Sequence, residues 1–139
     1  ADGEAEANLQ TVPAAQVQSV ARSPFLNPSD LTIPQGRDTT IVKTFRFTAA
    51  TRVIMLTSHM HRRGQKFVIR ISGGARNGEV VYTSTSWDHP PIVSFGTPIL
   101  LQVGEGLTSE VTWHGDAARV VRFGLTSEDE MDIIFGYWY

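Results

Sequence analysis

With 139 residues, 41% of them apolar, and a formal net charge of -2, the chain can bury the core of one domain and is too apolar for a disordered protein. The small charge and the lack of a polybasic run argue against nucleic acid or a membrane surface as a partner. No stretch approaches the roughly 18 apolar residues of a membrane span, and the absence of cysteine excludes thiolate-ligated blue copper and iron–sulfur clusters.

Short runs of β-branched and aromatic residues, separated by turn residues, predict an all-β chain. Residues 4–12 alternate between apolar and polar and predict a half-buried first strand, whereas residues 14–21 fit a short helix nearly as well as a strand. Further strands are predicted at residues 39–47, 52–61, 66–71, 79–84, 99–103, 108–113, 118–125 and 132–139. This spacing favours an antiparallel, jelly-roll-like β-sandwich of about eight or nine strands. No linker or repeat divides residues 1–139, so we expect a single domain.

Two histidines stand two positions apart at the end of the strand predicted for residues 52–61. In a strand, the side chains of His59 and His61 project from the same face, roughly 7 Å apart, and both imidazoles can then bind one metal ion. Strict alternation also places Val53 on this face. Gly64 follows closely and predicts a turn, which would put the pair at a loop-bearing end of the sandwich. The same pattern also fits two ordinary, hydrogen-bonded strand histidines.

The remaining candidates carry weaker signals. His89 lies beside two prolines, which predict a rigid turn and a structural role, and His114 lies in a predicted hairpin, where we expect it to be exposed. Met131 begins the last predicted strand, directly after the acidic residues 128–130. Taken alone, this methionine is typical of a core residue and the acidic run of a solvated loop.

Four segments in a distinctive order nevertheless belong together. They are Leu-Thr-Ser-His-Met-His-Arg-Arg-Gly at residues 56–64, Trp-Asp-His-Pro at 87–90, Phe-Gly-Leu-Thr-Ser-Glu-Asp-Glu-Met at 123–131 and Gly-Tyr-Trp-Tyr at 136–139. In combination they resemble the carboxy-terminal domain of copper type II, ascorbate-dependent monooxygenases, the family of peptidylglycine α-hydroxylating and dopamine β-monooxygenases. The resemblance is strongest to bacterial relatives and runs from about residue 39 to residue 139.

The resemblance implies that His59, His61 and Met131 bind one copper ion, at which dioxygen is activated. It implies a domain of a larger redox enzyme that acts on an organic substrate, with ascorbate or another reductant as the electron source. Imidazole suits both oxidation states of copper, whereas a thioether favours Cu(I). Family members are secreted or periplasmic, which predicts a location outside the cytoplasm, although the first residues do not resemble a signal peptide.

The chain departs from the family pattern in two ways. Family members usually have a disulfide whose cysteines would fall at Val111 and Asp132, so we expect Val111 to pack in the core and Asp132 to find solvent or a donor. Family hydroxylases also bind a second copper through three histidines of a preceding domain, for which 139 residues leave no room. We therefore do not expect coupled hydroxylation by this chain alone, and we expect an electron-donor domain as its partner.

A different class of function stays open. A non-catalytic β-sandwich module that docks to a protein or a carbohydrate would also account for several aromatic residues. These are Trp87, Trp113, Tyr137, Trp138 and Tyr139.

Overall fold

The computed structural model describes residues 6–23 and 25–139. Ten strands lie in this part of the chain, three of them only two residues long. They are β1 (Phe25–Leu26), β2 (Thr32–Ile33), β3 (Thr39–Arg46), β4 (Thr51–His59), β5 (Gly64–Ser72), β6 (Val80–Ser84), β7 (Val93–Leu101), β8 (Gly106–Trp113), β9 (Val121–Arg122) and β10 (Ile133–Trp138). The described residues include no helix that is long and apolar enough to cross a membrane.

The strands form two four-stranded sheets, in the orders β1-β10-β4-β7 and β3-β8-β5-β6, and β2 pairs with β9 in a small third sheet. Neighbouring strands in all three sheets are antiparallel. The chain passes repeatedly from one large sheet to the other, which is the topology of a jelly roll. The predicted antiparallel, jelly-roll-like sandwich is confirmed.

Strand β8 shows why this sequence forms a two-layered structure. Its alternate residues Leu107, Ser109, Val111 and Trp113 are fully buried, whereas the residues between them are half-exposed. With one face towards the core and one towards solvent, period-2 alternation is the pattern expected of a half-buried strand. The buried face packs with residues of the opposite sheet in one continuous core, which includes Val53, Leu56, Ile99, Leu101 and Ile134.

The strand that carries His59 changes face at a β-bulge. Strand β4 pairs with β10 in one register from His59 to Met55, and the register then shifts so that Val53 pairs with Trp138. The extra residue in the bulge reverses the alternation, and Val53 is fully buried in the core. Because Leu56 is also a core residue, Met55 and His59 face away from the core. The expectation that Val53 shares the face of the histidines is wrong.

Other predicted boundaries differ because pairing partners, rather than local sequence, decide where strands form. Strand β7 begins at Val93 instead of residue 99 and contains Pro98. It tolerates the proline because it is an edge strand whose pairing with β4 is interrupted between Ser94 and Ile99, so no ladder hydrogen bond is lost there.

The strands predicted near the amino terminus and at residues 118–125 are mostly absent from the structure. Within residues 118–125 only Val121–Arg122 is a strand. The first predicted strand begins with Glu4 and Ala5, which lie outside the described residues, and residues 6–12 are exposed and not in a strand. Residues 14–21 contain only the 3-10 turn Ala14–Gln16. Every residue from 6 to 21 is exposed, so alternation there has no buried face to match, and within residues 118–125 only Val121 is fully buried.

We predict that a methyl group at Gly106 would disrupt the pairing of β3 with β8. It would overlap the carbonyl oxygen of Phe45, and we expect Gly106→Ala to lower the free energy of unfolding by about 2 kcal/mol. Gly96→Ala in β7 is the matched control, because no described atom lies within 4 Å of its added methyl. Urea denaturation measures both variants. Equal losses in the two would contradict the prediction.

Candidate metal centre

The two histidines of the His-x-His pair lie side by side, although only one of them is in a strand. His59 is the last residue of β4, and His61 begins the turn in which the N–H of Gly64 donates to the His61 carbonyl at 2.9 Å. The prediction that the strand continues to His61 is therefore wrong. The ring centroids are nevertheless 5.0 Å apart, with the ring planes at 83°. His61 is 7% exposed and His59 is half-buried.

His61 makes a hydrogen bond through Nδ1, and burial affects the charge of His59. Nδ1 of His61 lies 3.1 Å from the main-chain oxygen of Asp129. A carbonyl oxygen can only accept, so Nδ1 carries the proton, and the lone pair of a neutral ring is left on Nε2. Burial, with a smaller contribution from the neighbouring His61 ring, lowers the pKa of His59. The His59 ring is therefore neutral at pH 7, which is the form that binds metals.

Met131 lies in the segment that runs alongside the histidine turn. Ile133, the first residue of β10, pairs with His59, and the main-chain oxygen of Asp129, two residues before Met131, lies 3.1 Å from Nδ1 of His61. Met131 is 7% exposed. The structure thus brings together the two segments that carry the predicted ligands.

The acidic run before Met131 is not the solvated loop that its composition suggests. Glu130 is fully buried, and its carboxylate accepts hydrogen bonds from the N–H groups of His61 and Arg63, both at 2.8 Å, and from Nε1 of Trp113 at 3.0 Å. Burial raises the pKa of Glu130, while these donors favour its ionised form. Sequence reasoning missed this residue, because nothing in the sequence distinguishes it from the acidic residues before it.

A buried arginine makes a second connection between the turn and the acidic run. Arg63 is 9% exposed. Its guanidinium donates to the main-chain oxygen of Glu128 at 2.7 Å and to the carboxylate of Asp116 at 2.5 Å. Charge-assisted bonds of this kind are stronger than neutral ones. The turn that carries His61 is therefore held at the carboxylate of Glu130 and again at the guanidinium of Arg63.

The positions of the family disulfide hold a core residue and a buried acid. Val111 is fully buried in the core, as expected. Asp132 is also fully buried, and the donor that it was expected to need is the hydroxyl of Ser109, 2.9 Å from Oδ2. The other oxygen, Oδ1, has no hydrogen-bond partner among the described residues. Burial raises the pKa of Asp132 to about 6.

The other two histidines lie apart from this centre. The side chain of His114 is 67% exposed and its Nδ1 lies 2.7 Å from Asp38, which confirms its expected exposure. The side chain of His89 is 89% exposed beside Asp88, so its ring has no role in packing. Across residues 6–23 and 25–139, no group of three or more His, Cys, Asp and Glu side chains could hold a metal ion. Methionine is not one of these four residue types, so two histidines and one methionine do not make such a group.

Comparisons with known proteins are uninformative about this centre. The sequence matches no family model and no curated protein. One matching solved structure is that of infectious bursal disease virus, Gx strain, with 11% sequence identity and a TM-score of 0.32. The match covers 94% of this chain and 35% of that chain, so this chain spans little more than a third of its length. At this TM-score the likeness carries no argument about function.

We predict that the buried carboxylate of Glu130 is needed for stability as well as for the position of His61. In Glu130→Gln, the amide NH2 has to face one of the three N–H donors, so at least one buried donor loses its acceptor. We expect a loss of about 2 kcal/mol in the free energy of unfolding. Glu128→Gln, in the same acidic run but 53% exposed, should cost less than about 1 kcal/mol. Similar losses in the two variants would contradict the prediction.

We predict that Asp132 makes the protein less stable as the pH rises. Its pKa is raised from 3.8 to about 6 in the folded state, so the native protein holds this proton more tightly than the unfolded chain does. The ionised carboxyl lowers the free energy of unfolding. This loss is absent below pH 3.8, grows between pH 3.8 and about pH 6, and reaches about 3 kcal/mol above pH 6.

Asp132→Asn should therefore gain stability relative to the wild type between about pH 4 and about pH 7, as measured by urea denaturation. The control is Asp88→Asn, since the Ser86 hydroxyl lowers the pKa of that exposed carboxyl. This control should show no such gain. A difference in the free energy of unfolding between Asp132→Asn and the wild type that is the same at every pH would contradict the raised pKa of Asp132.

Proposed function

We propose that this chain is a mononuclear copper-binding domain, related to the oxygen-activating domain of ascorbate-dependent copper monooxygenases, and one module of a larger redox enzyme. The observation that carries the proposal is the pair of imidazole rings, 5.0 Å apart at the end of β4. The Met131 segment runs beside them in the register set by Ile133 and His59. The order of sequence motifs that resembles the monooxygenase family supports the same set of ligands.

The donor atoms of these residues fit copper better than other common metals. Calcium and magnesium prefer oxygen ligands, and structural zinc takes four ligands, usually thiolates and imidazoles. Two imidazoles and a thioether suit copper in both oxidation states, and the soft sulfur favours Cu(I). Three protein ligands would leave one position for a small molecule. His59 is the more exposed of the two histidines, so its side of the centre is open for that approach.

The surrounding residues would orient the ligands. The main-chain oxygen of Asp129 holds Nδ1 of His61, which is the kind of outer contact that usually fixes a metal-binding imidazole. Glu130 holds the main chain of the same turn. Bound copper would supply the activation of dioxygen for oxidation of an organic substrate, with electrons from ascorbate or another reductant. An electron-donor domain would be the partner, and the location outside the cytoplasm is part of the same proposal.

Titration of the full chain with Cu(I) and Cu(II), in competition with a colorimetric chelator, tests the proposal. We expect one ion per chain, and we expect His59→Ala and His61→Ala each to weaken binding at least roughly 100-fold, because each removes a ligand. Met131→Leu should weaken Cu(I) binding about tenfold and Cu(II) binding less, since the thioether is the softer ligand. His89→Ala is the control and should bind copper like the wild type.

Unchanged copper binding in both His59→Ala and His61→Ala would disprove the proposal. The alternative is a non-catalytic docking module, and the exposure of three aromatic side chains favours it: Trp87, Tyr137 and Tyr139 are each at least 40% exposed. Trp113 is a core residue and does not support it. Partner binding that survives removal of copper and loss of both histidines would favour this alternative.

A further inference from the structure

The end of β4 that carries His59 is paired with a neighbouring strand on one side only. On the β10 side the pairing continues as far as His59. On the β7 side, in the described part of the chain, it stops at Leu56 and Val93. Pro91 lies two residues before Val93, and a proline has no N–H with which to extend a ladder. Strand pairing therefore does not hold this side of β4 beside the candidate metal centre.

Two side-chain hydroxyls bind the main-chain oxygen of Pro91 instead. The Thr57 hydroxyl of β4 donates to this oxygen at 2.9 Å, and the Tyr82 hydroxyl of β6 donates to it at 3.0 Å. A carbonyl oxygen has two lone pairs and can accept both hydrogen bonds. The loop between β6 and β7 is therefore attached to β4 at Thr57, two residues before His59.

Tyr82 also binds the residue that directly precedes His59. Its hydroxyl oxygen lies 3.0 Å from Oγ of Ser58. Because the one proton of the phenol is donated to Pro91, the serine hydroxyl is the donor in this contact. Tyr82 is 3% exposed and Ser58 is 2% exposed. Strands β6 and β4 belong to different sheets, so this hydrogen bond crosses the core and connects the end of β4 to the opposite sheet.

The contact between Ser58 and Tyr82 can fix the direction of the His59 side chain. Ser58 is buried in the core, and His59, the next residue of the strand, faces the other way. Holding the Ser58 side chain limits rotation of the strand about its axis, and with it the direction of the Cα–Cβ bond of His59. Buried polar networks whose members all have partners are rigid and specify one arrangement.

We propose that Tyr82 is a positioning residue of the metal centre, which holds His59 in place through Ser58. The inference rests on the proposed copper site. Glu130, which binds Trp113, has the equivalent role at the histidine turn. Tyr82 and Trp113 both belong to the sheet β3-β8-β5-β6. The relative position of the two imidazoles is thus set by two aromatic residues of the opposite sheet.

Tyr82→Phe, which removes only the phenol hydroxyl, tests the proposal, and Thr51→Val is the matched control. Thr51 is also buried, and its hydroxyl donates to the main-chain oxygen of Ala49 at 3.0 Å, at the end of β4 remote from His59. We expect Tyr82→Phe to weaken Cu(I) binding by the full chain about tenfold and to change the EPR spectrum of bound Cu(II). Thr51→Val should match the wild type in both measurements.

A second measurement does not depend on copper. In the NMR spectrum of the metal-free chain, the ring signals of His59 should shift in Tyr82→Phe and stay at their wild-type positions in Thr51→Val. Ser58→Ala removes the other partner of the same hydrogen bond and should reproduce the changes in Tyr82→Phe. The double variant of Ser58 and Tyr82 should add nothing to them, because the two residues act through one contact.

The two measurements separate this inference from the proposed function. A wild-type chain that binds no copper would disprove the proposed function, whereas the His59 ring signals would still show whether Tyr82 positions that residue. Unshifted ring signals in Tyr82→Phe would overturn the positioning role. Copper affinity and an EPR spectrum in Tyr82→Phe that equal those of Thr51→Val would overturn it as well, while leaving the copper site itself intact.

Discussion

The carboxylate of Glu130 lies fully buried where β8, the histidine turn and the segment before β10 meet. A buried charge without donors would be strongly unfavourable, but this one accepts from two main-chain N–H groups of the turn and from the indole of Trp113. The three donors come from two separate parts of the chain, so the interaction exists only when both sheets are assembled. The position of His61 beside the Met131 segment follows from it.

The segment before β10 contacts both the core and the histidine turn. Glu130 and Asp132 are buried and face β8, where they meet Trp113 and Ser109. Met131, between them, is 7% exposed. The two carboxylates differ in how well they are satisfied, because Glu130 has three donors and Asp132 has one. The segment is thus well held at Glu130 and less well held one residue after Met131.

Strand β4 joins two regions of different chemistry. At its carboxyl end lie His59 and the turn to β5, and at its amino end Thr51 lines a cavity beside Trp138 and Tyr139. The bulge at Ile54 lies between them and turns the first part of the strand so that Val53 enters the core. A jelly roll places loops at both ends of its strands, and loops carried on a rigid sandwich are where binding sites usually form. The candidate metal centre and this cavity therefore lie at opposite ends of β4.

The sequence by itself determined the all-β class and the strands β3, β5 and β8, because alternation and turn residues act over a few neighbouring positions. The bulge at Ile54, the edge position that accommodates Pro98, the burial of Glu130 and the cavity at Trp138 were decided only by the tertiary structure. Each of these depends on partners supplied by segments distant along the chain. The residues next to a carboxylate in the sequence do not show whether it will be exposed to water or buried against three N–H donors. The packing of the two sheets determines this for Glu130.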